Sequence, residues 1–234
     1  MTPERWARLH AVLDRRQPDL TVVTDFVHKQ RNLAAIVRSC DSVGIMCVHA
    51  VIGDEDYRTY RGTSASAHRW VDVERHHELA PALAALRADG FQLVAAHLDA
   101  SAADYREIDY TLPTALVVGA ENGGVSAQGR ALVDRSISVP MLAMVESLTV
   151  SVATAVVLAE ARRQREEAGL YAERRIDPDT YRTLLFRWAQ PRIAAFCDER
   201  GLDYPPLDED GDIADASAWY ARVKYGMGPE EELS

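Results

Sequence analysis

The stretch Pro140-Met-Leu-Ala-Met-Val-Glu-Ser-Leu-Thr-Val-Ser151 reads as a strand end, a loop closing at Ser147 and the start of a long apolar helix. A helix start presents backbone N–H groups without intrahelical partners and the positive end of the helix dipole. It therefore suits the polar or anionic groups of a ligand. A second cluster, Gly119-Ala-Glu-Asn-Gly-Gly124, directly follows the apolar run Ala115 to Val118. Glycines at a strand end let the backbone turn sharply and approach a ligand closely. A third pairs Asn32 with Arg38 in the segment after His28-Lys-Gln-Arg31. An arginine in an otherwise apolar helix calls for a partner, because an unpaired buried charge is costly. Asp41 is one structural candidate, and the glycine cluster can equally be a tight turn without a ligand.

Several chemistries are disfavoured by spacing. The glycine cluster is neither GxGxxG nor a Walker loop, since no Lys-Ser/Thr follows it. Ser147 lies in no GxSxG elbow and has no histidine at a motif spacing, which argues against a serine hydrolase. Of the seven histidines, none is framed by such an elbow, His28, His49, His68 and His97 of the main domain included, and His97 at a strand end reads as a loop contact. Cys40, Cys47 and Cys197 form no CxxC pair and read as reduced thiols.

The elements that must position these clusters follow from periodicity and punctuation. Thr2-Pro3-Glu4 opens a helix to about Arg16 with Trp6, Leu9, Val12 and Leu13 on one stripe. Strands are expected at Thr21 to Val27, Met46 to Ile52, Arg69 to Val73, Phe91 to Leu98, Ala115 to Val118 and Ile137 to Pro140. Between them come helices from Asn32 to Gly44, Leu79 to Ala88, Ala127 to Asp134 and Leu148 to Ala168. Two more follow from Pro178, the second ended by Gly201. Asp208 to Asp212 reads as a solvated turn, and Gly226 to Ser234 as disordered. Alternating strands and helices predict an α/β fold, a mainly parallel sheet with helices on both faces. The expected division is a helical extension over residues 1–20, a main domain over 21–169 and a helical extension with an acidic tail over 170–234.

The 234 residues carry a formal charge of −10, which by itself disfavours a nucleic-acid binder. The charge is unevenly spread, however. Residues 201–234 hold two basic and nine acidic side chains, whereas residues 1–50 hold seven basic and five acidic. Only Lys29 and Lys224 are lysines, and arginine's rigid fork suits bidentate phosphate contacts. No apolar run reaches the roughly 18 residues needed to cross a bilayer. The first residues show no charged start followed by a greasy core, so a cytoplasmic location without membrane association is expected.

Taken in order, the clusters resemble the three motifs of the SpoU/TrmH branch of the SPOUT RNA 2′-O-ribose methyltransferases: Asn32 through Arg38, Leu116 through Ser126, and Val139 through Glu160. Arg15 to Val22, Tyr105 to Thr111, Leu184 to Phe186 and Gly201 to Pro205 are similar to the subgroup acting on guanosine 18 of tRNA. The resemblance implies a SPOUT fold with a C-terminal trefoil knot, a homodimer, S-adenosyl-L-methionine as cofactor and a ribose 2′-hydroxyl of D-loop guanosine as acceptor. It implies catalytic roles for Arg38, Asn32, Glu121 and Ser147, with Glu121 orienting Arg38 from the partner chain or holding the target nucleotide. Cofactor contacts are implied at His97, Leu98, Gly119, Val139, Met141 and Leu148. RNA phosphates would be gripped by Arg8, Arg15, Arg16, Arg162, Arg163 and Arg165. The chain departs from the pattern at Thr149, where the family usually has asparagine, at Ala143 in place of glycine, and at Asn122-Gly123 in place of a lysine. Other readings are the same transfer on ribosomal RNA or another tRNA site, a catalytically weakened RNA- or cofactor-binding paralogue, and a nucleotide-binding α/β protein.

Overall fold

A computed structural model describes residues 1–52, 69–99, 101–121 and 123–225. His68, Asn122 and the tail from Gly226 lie outside the described residues. Two compact units emerge: Asp14–Ile176, and Met1–Leu13 together with Asp177–Ser234. The compact units meet at 13/14 and 176/177.

The larger unit is a seven-stranded, wholly parallel sheet built from β1 (Leu20–Asp25), β2 (Cys47–Val51), β3 (Asp72–His76), β4 (Gln92–Ala96), β5 (Ala103–Asp104), β6 (Thr114–Gly119) and β7 (Arg135–Ser138). Their spatial order is β3-β2-β1-β6-β4-β7-β5. Central strands β1 and β6 are buried at every position, as parallel strands covered on both faces must be. On one face Leu33, Ile36 and Val37 of α2 (Gln30–Ser42) and Val157, Leu158 and Ala161 of α5 (Val150–Glu167) join Val22, Val94, Leu116 and Ile137 in one core. On the other, Leu79, Leu83 and Leu86 of α3 (Leu79–Ala88) cover Val23, Leu93, Ala95, Ala115 and Val117, beside the short α4 (Ala127–Leu132).

Several punctuation signals act as expected. Gly44 and Gly90 take φ of 84° and 88° just after α2 and α3. Strand limits shift by one to three residues from the expectation, β5 is a strand the sequence reading did not anticipate, and β3 and β7 show the cause. β3 runs over Asp72–His76 instead of 69–73, because pairing with β2 extends it along a polar edge strand. β7 starts at Arg135, where pairing with Val94 begins, and stops before Pro140.

In the smaller unit α1 (Pro3–Leu13) packs with α6 (Pro178–Ala189), where His10 and Tyr181 are hydrogen-bonded at 2.5 Å. The helix expected to reach Arg16 thus ends three residues earlier. α6 is capped by Asp177, whose carboxylate accepts from the Asp179 and Thr180 N–H groups. α7 (Pro191–Arg200) ends at left-handed Gly201, and α8 (Ala216–Tyr225) is a helix the sequence reading did not anticipate. No helix among the described residues is long and apolar enough to cross a membrane.

Candidate functional site

Strand register brings three loops level. Ala96 of β4 pairs with Val118 of β6 and Ile137 of β7, and Gly119 pairs with Asp25 of β1. The residues just beyond these strands therefore meet at the carboxyl edge of the sheet, where parallel α/β sheets form ligand crevices. A cleft of about 600 Å³ opens there. Its floor is apolar (Val118, Ile137, Val157), and its rim carries Lys29, Arg31, Asn32, Glu121, Glu146 and Ser147.

Gly119 can be nothing larger. A Cβ there would lie 1.9 Å from the Gly124 carbonyl carbon and 2.1 Å from the Val125 nitrogen. Gly124, at φ +68°, would drive a Cβ to 2.6 Å from His97 Nδ1. The loop closes on itself through Gly124 N–H donating to Ala120 O. It is braced from below where the buried Asp25 carboxylate accepts the Ser126 N–H at 2.7 Å.

Asn32 reaches this loop from the first turn of α2. Phe26, at φ 52°, turns the chain out of β1, a conformation costing a non-glycine residue about 1–2 kcal/mol. Asn32 Nδ2 then donates to Glu121 Oε1 at 2.6 Å. Burial pushes the Glu121 carboxyl up, but hydrogen bonds from backbone and from Asn32, with the charge of Lys29, outweigh it and hold the group below the usual glutamate range. Glu121 is thus a carboxylate at neutral pH, fixed in orientation.

The third loop runs from Val139 to Thr149, the N-cap residue of α5. The Thr149 side chain makes no capping bond; its carbonyl accepts from Val152 and Ala153. The helix start faces the cleft, lined by Leu148, Thr149, Val150 and Ala153. Opposite, His97 N–H donates to Ile137 O, and Arg130 Nη1 lies 2.9 Å from His97 Nε2. Burial first, then the Arg130 charge, lowers the His97 pKa, so its ring is neutral at pH 7 and accepts from Arg130 through Nε2.

Asn32, Glu121, Ser147, His97, Leu98, Gly119, Val139 and Leu148 therefore converge on one cleft. Arg38 and Met141 do not line it. Arg38 is on the exposed face of α2 rather than in the apolar core, so it needs no buried counter-ion, and Asp41 pairs instead with Arg16. Lys29, Arg31, Glu146 and Thr149 line the cleft without having been assigned a role from sequence, although the last three flank residues that were.

Two of the expected RNA contacts are corrected. Arg16 is fully buried, donating to Ile45 O, Trp70 O and the Asp41 carboxylate. Arg165 is also fully buried, donating to Asp19, Gln17, Tyr110 O and Leu112 O. Neither guanidinium is available to a phosphate. Arg8 and Arg15 are exposed, as are Arg162 and Arg163, which are tied along α5 to Glu166, and to Glu160 and Glu167.

The chain matches the SpoU rRNA methylase family over residues 19–159 and the C-terminal SpoU rRNA methylase region over residues 163–216. It is 42% identical to the tRNA (guanosine(18)-2′-O)-methyltransferase of Escherichia coli K12, across 96% of this chain and 99% of that protein. Among solved structures it is similar to the TrmH/SpoU tRNA modifying enzyme of Aquifex aeolicus, with a TM-score of 0.74 and 37% identity, covering 81% of this chain and 97% of that one. It is also similar to the SpoU methyltransferase AviRb of Streptomyces viridochromogenes in complex with the cofactor AdoMet, with a TM-score of 0.57 and 26% identity, covering 66% and 62% of the respective chains.

Proposed function

The chain belongs to the SpoU rRNA methylase family, and on that premise we propose that it transfers a methyl group from S-adenosylmethionine to the ribose 2′-hydroxyl of guanosine 18 in tRNA. The observation that carries this reading is the convergence of Asn32, Glu121 and Ser147, 115 positions apart at the extremes, on one cleft beside a glycine loop without room for a side chain.

The cleft fits the cofactor on its own features: an apolar floor, close-approach backbone at Gly119 and Gly124, and a helix start without a side-chain cap. When bound, S-adenosylmethionine supplies a methyl group on positively charged sulfur, already activated for displacement. What the protein must add is alignment of the incoming 2′-oxygen and charge stabilisation as that oxygen becomes more nucleophilic. Backbone at Gly119, Val139 and Leu148, with the neutral His97 side, would hold the cofactor. Asn32 and the Glu121 carboxylate would hold the acceptor side, with Ser147 shaping the rim.

A guanidinium keeps its proton near neutral pH, so Arg38 would act by fixing the adjacent phosphate and stabilising alkoxide charge rather than as a free base. Because Arg38 does not line the cleft of its own chain, the reading includes a homodimer in which a second copy presents Arg38. Exposed apolar residues beside the third loop favour such an assembly: Leu142 is 100% and Met144 97% exposed, with Val145 and Val152 alongside. The reading further includes the family's trefoil knot around the third loop, and a cytoplasmic location where tRNA is met. Lys29 and Arg31 at the rim, with exposed Arg8, Arg15, Arg162 and Arg163, would meet RNA phosphates.

The test is transfer of labelled methyl from S-adenosylmethionine to unmodified tRNA transcript, with the modified ribose mapped. One methyl per tRNA at guanosine 18, lost when that nucleotide is 2′-deoxy, is expected. Incorporation only into ribosomal RNA, or at another ribose, overturns the substrate assignment, and no incorporation into any RNA overturns the activity.

A further inference from the structure

The edge of the sheet away from the cleft carries a second cluster of reactive side chains that methyl transfer does not use. Cys47 and His49 are two apart on β2 and so face the same way, as do Glu74 and His76 on β3. The parallel register sets His49 opposite Glu74, which puts all four on one face of the β2–β3 ribbon. His49 Nδ1 lies 3.0 Å from His76 Nε2 and 3.4 Å from Glu74 Oε2, and His76 Nε2 lies 3.7 Å from Glu74 Oε1. One ligating atom each from Cys47, His49 and Glu74 all fall within 4.8 Å of one another.

We propose that Cys47, His49, Glu74 and His76 form a binding site for Zn²⁺ that clasps edge strand β3 to β2. Bonds of about 2.0–2.3 Å arranged tetrahedrally separate zinc ligands by roughly 3.3–3.8 Å. Two of the three nitrogen and oxygen separations fall inside that range and the third lies about 0.3 Å below it, while the thiol, within 4.8 Å of the His49 and Glu74 atoms, must close by up to about 1 Å on those two sides and swing toward His76. A thiolate, two imidazoles and a carboxylate are a borderline-soft donor set that suits zinc and not magnesium or calcium. Four protein ligands leave no open position, so the role is structural, not catalytic.

The protonation states support the geometry. Burial lowers the His49 pKa, which keeps its imidazole neutral and its lone pair available. Burial, with the charges of Glu74 and Asp72, pushes the Cys47 thiol up to about 11, so binding must displace that proton. Affinity should therefore rise about tenfold per pH unit below the thiol's range.

The full chain, stripped with chelator, is titrated with Zn²⁺ against a competing indicator and separately with Co²⁺. One Zn²⁺ per chain at submicromolar affinity is expected, together with a cobalt spectrum showing tetrahedral d–d bands and a thiolate charge-transfer band. Free zinc at about a hundred times Kd should raise the unfolding midpoint by roughly 5–10 °C. Cys47→Ser should abolish the thiolate band and weaken zinc at least a hundredfold, and His76→Gln should weaken it at least tenfold while keeping the band. Cys197→Ser should change neither. Absence of binding, a band that survives Cys47→Ser, or affinity unchanged in both Cys47→Ser and His76→Gln overturns the assignment. Should Cys47→Ser fail to fold, His76→Gln alone decides, since that ring is partly exposed.

Discussion

The buried arginine of α5 offers a sharp test of how charge is handled in the larger unit. Asp19 accepts from Arg165 Nη1 at 2.7 Å and from Arg175 at 2.5 and 2.8 Å, so one carboxylate neutralises two guanidinium groups. Asp19→Asn keeps the shape but leaves fully buried Arg165 and half-buried Arg175 side by side without a counter-charge, an error costing about 3–5 kcal/mol. Arg165→Met is the milder change. Asp19 then keeps Arg175, and the Asp19 and Leu112 carbonyls keep the Thr114 N–H and hydroxyl as donors. Only Tyr110 O loses its sole described donor, which costs about 1–3 kcal/mol. At about 2–4 °C per kcal/mol, the midpoint should fall by roughly 6–20 °C for Asp19→Asn and 2–12 °C for Arg165→Met. The gap should close in acid. Burial raises the Asp19 pKa, but its bonds to Arg175 and Arg165 outweigh that and hold the carboxyl below its ordinary value. Its contribution is therefore complete above about pH 5 and lost as pH falls through the lowered value, where wild type and Asp19→Asn converge. Thermal denaturation between pH 2.5 and 7 measures both. An Arg165→Met variant less stable than the Asp19→Asn variant would refute the charge argument. An unchanged midpoint for Arg165→Met with weakened tRNA binding would return Arg165 to the RNA surface.

Other perturbations address the cleft. Gly119→Ala forces backbone apart at Gly124 and Val125, so calorimetric affinity for S-adenosylmethionine should drop at least a hundredfold, while an unaltered titration would show that the loop does not cradle the cofactor. Asn32→Ala removes a bond that holds the Glu121 pKa down, so the acid limb of kcat/KM for tRNA should move to higher pH, and a limb that stays put would remove Glu121 from the reaction. Arg38→Ala should lower turnover by about 10²–10³-fold with cofactor affinity nearly intact. With S-adenosylmethionine held far below the Kd of the Gly119→Ala variant, mixing Arg38→Ala and Gly119→Ala chains should restore roughly a quarter of wild-type activity if Arg38 acts across a dimer, and almost none if it acts within its own chain.

The elements were legible wherever burial and punctuation agree. α3 occupies the span between Leu79 and Ala88 that its apolar pattern and Gly90 delimit, and the wholly buried β1 and β6 were read as strands with limits one or two residues off. Boundaries slipped where a neighbouring strand sets the limit. β3 alternates Val73 with Asp72, Glu74 and His76, which looks like a loop until β2 is beside it. Site residues whose backbone makes the cleft were identifiable, because glycine placement and a strand-loop-helix junction are local signals. The arginines were not separable by sequence. Arg162 and Arg165 sit three apart on one helix, yet only the second meets Asp19, 146 positions away, and becomes a strut. Asp41 likewise looked like a helix-local partner for Arg38 and serves Arg16.

That asymmetry bears on how the departures at Thr149 and Ala143 are tolerated. Thr149 is the N-cap residue of α5, but its side chain caps nothing, so the helix start draws no capping bond from that hydroxyl. Ala143 is exposed in a loop whose neighbours Leu142 and Met144 point almost entirely to solvent within the chain. Ala143 does not line the cleft, and Thr149 lines it without a side-chain capping bond that would shape the cleft. Its shape is set by main chain instead: the register of β1, β4, β6 and β7, the closed turn at Gly119 to Gly124, and the first turn of α5. Main-chain recognition is indifferent to a Thr-for-Asn exchange but intolerant of a single methyl at Gly119. Cofactor affinity should accordingly survive Thr149→Asn within a few-fold, with any gain confined to turnover, and a large change in affinity would place side chains, not backbone, at the centre of binding.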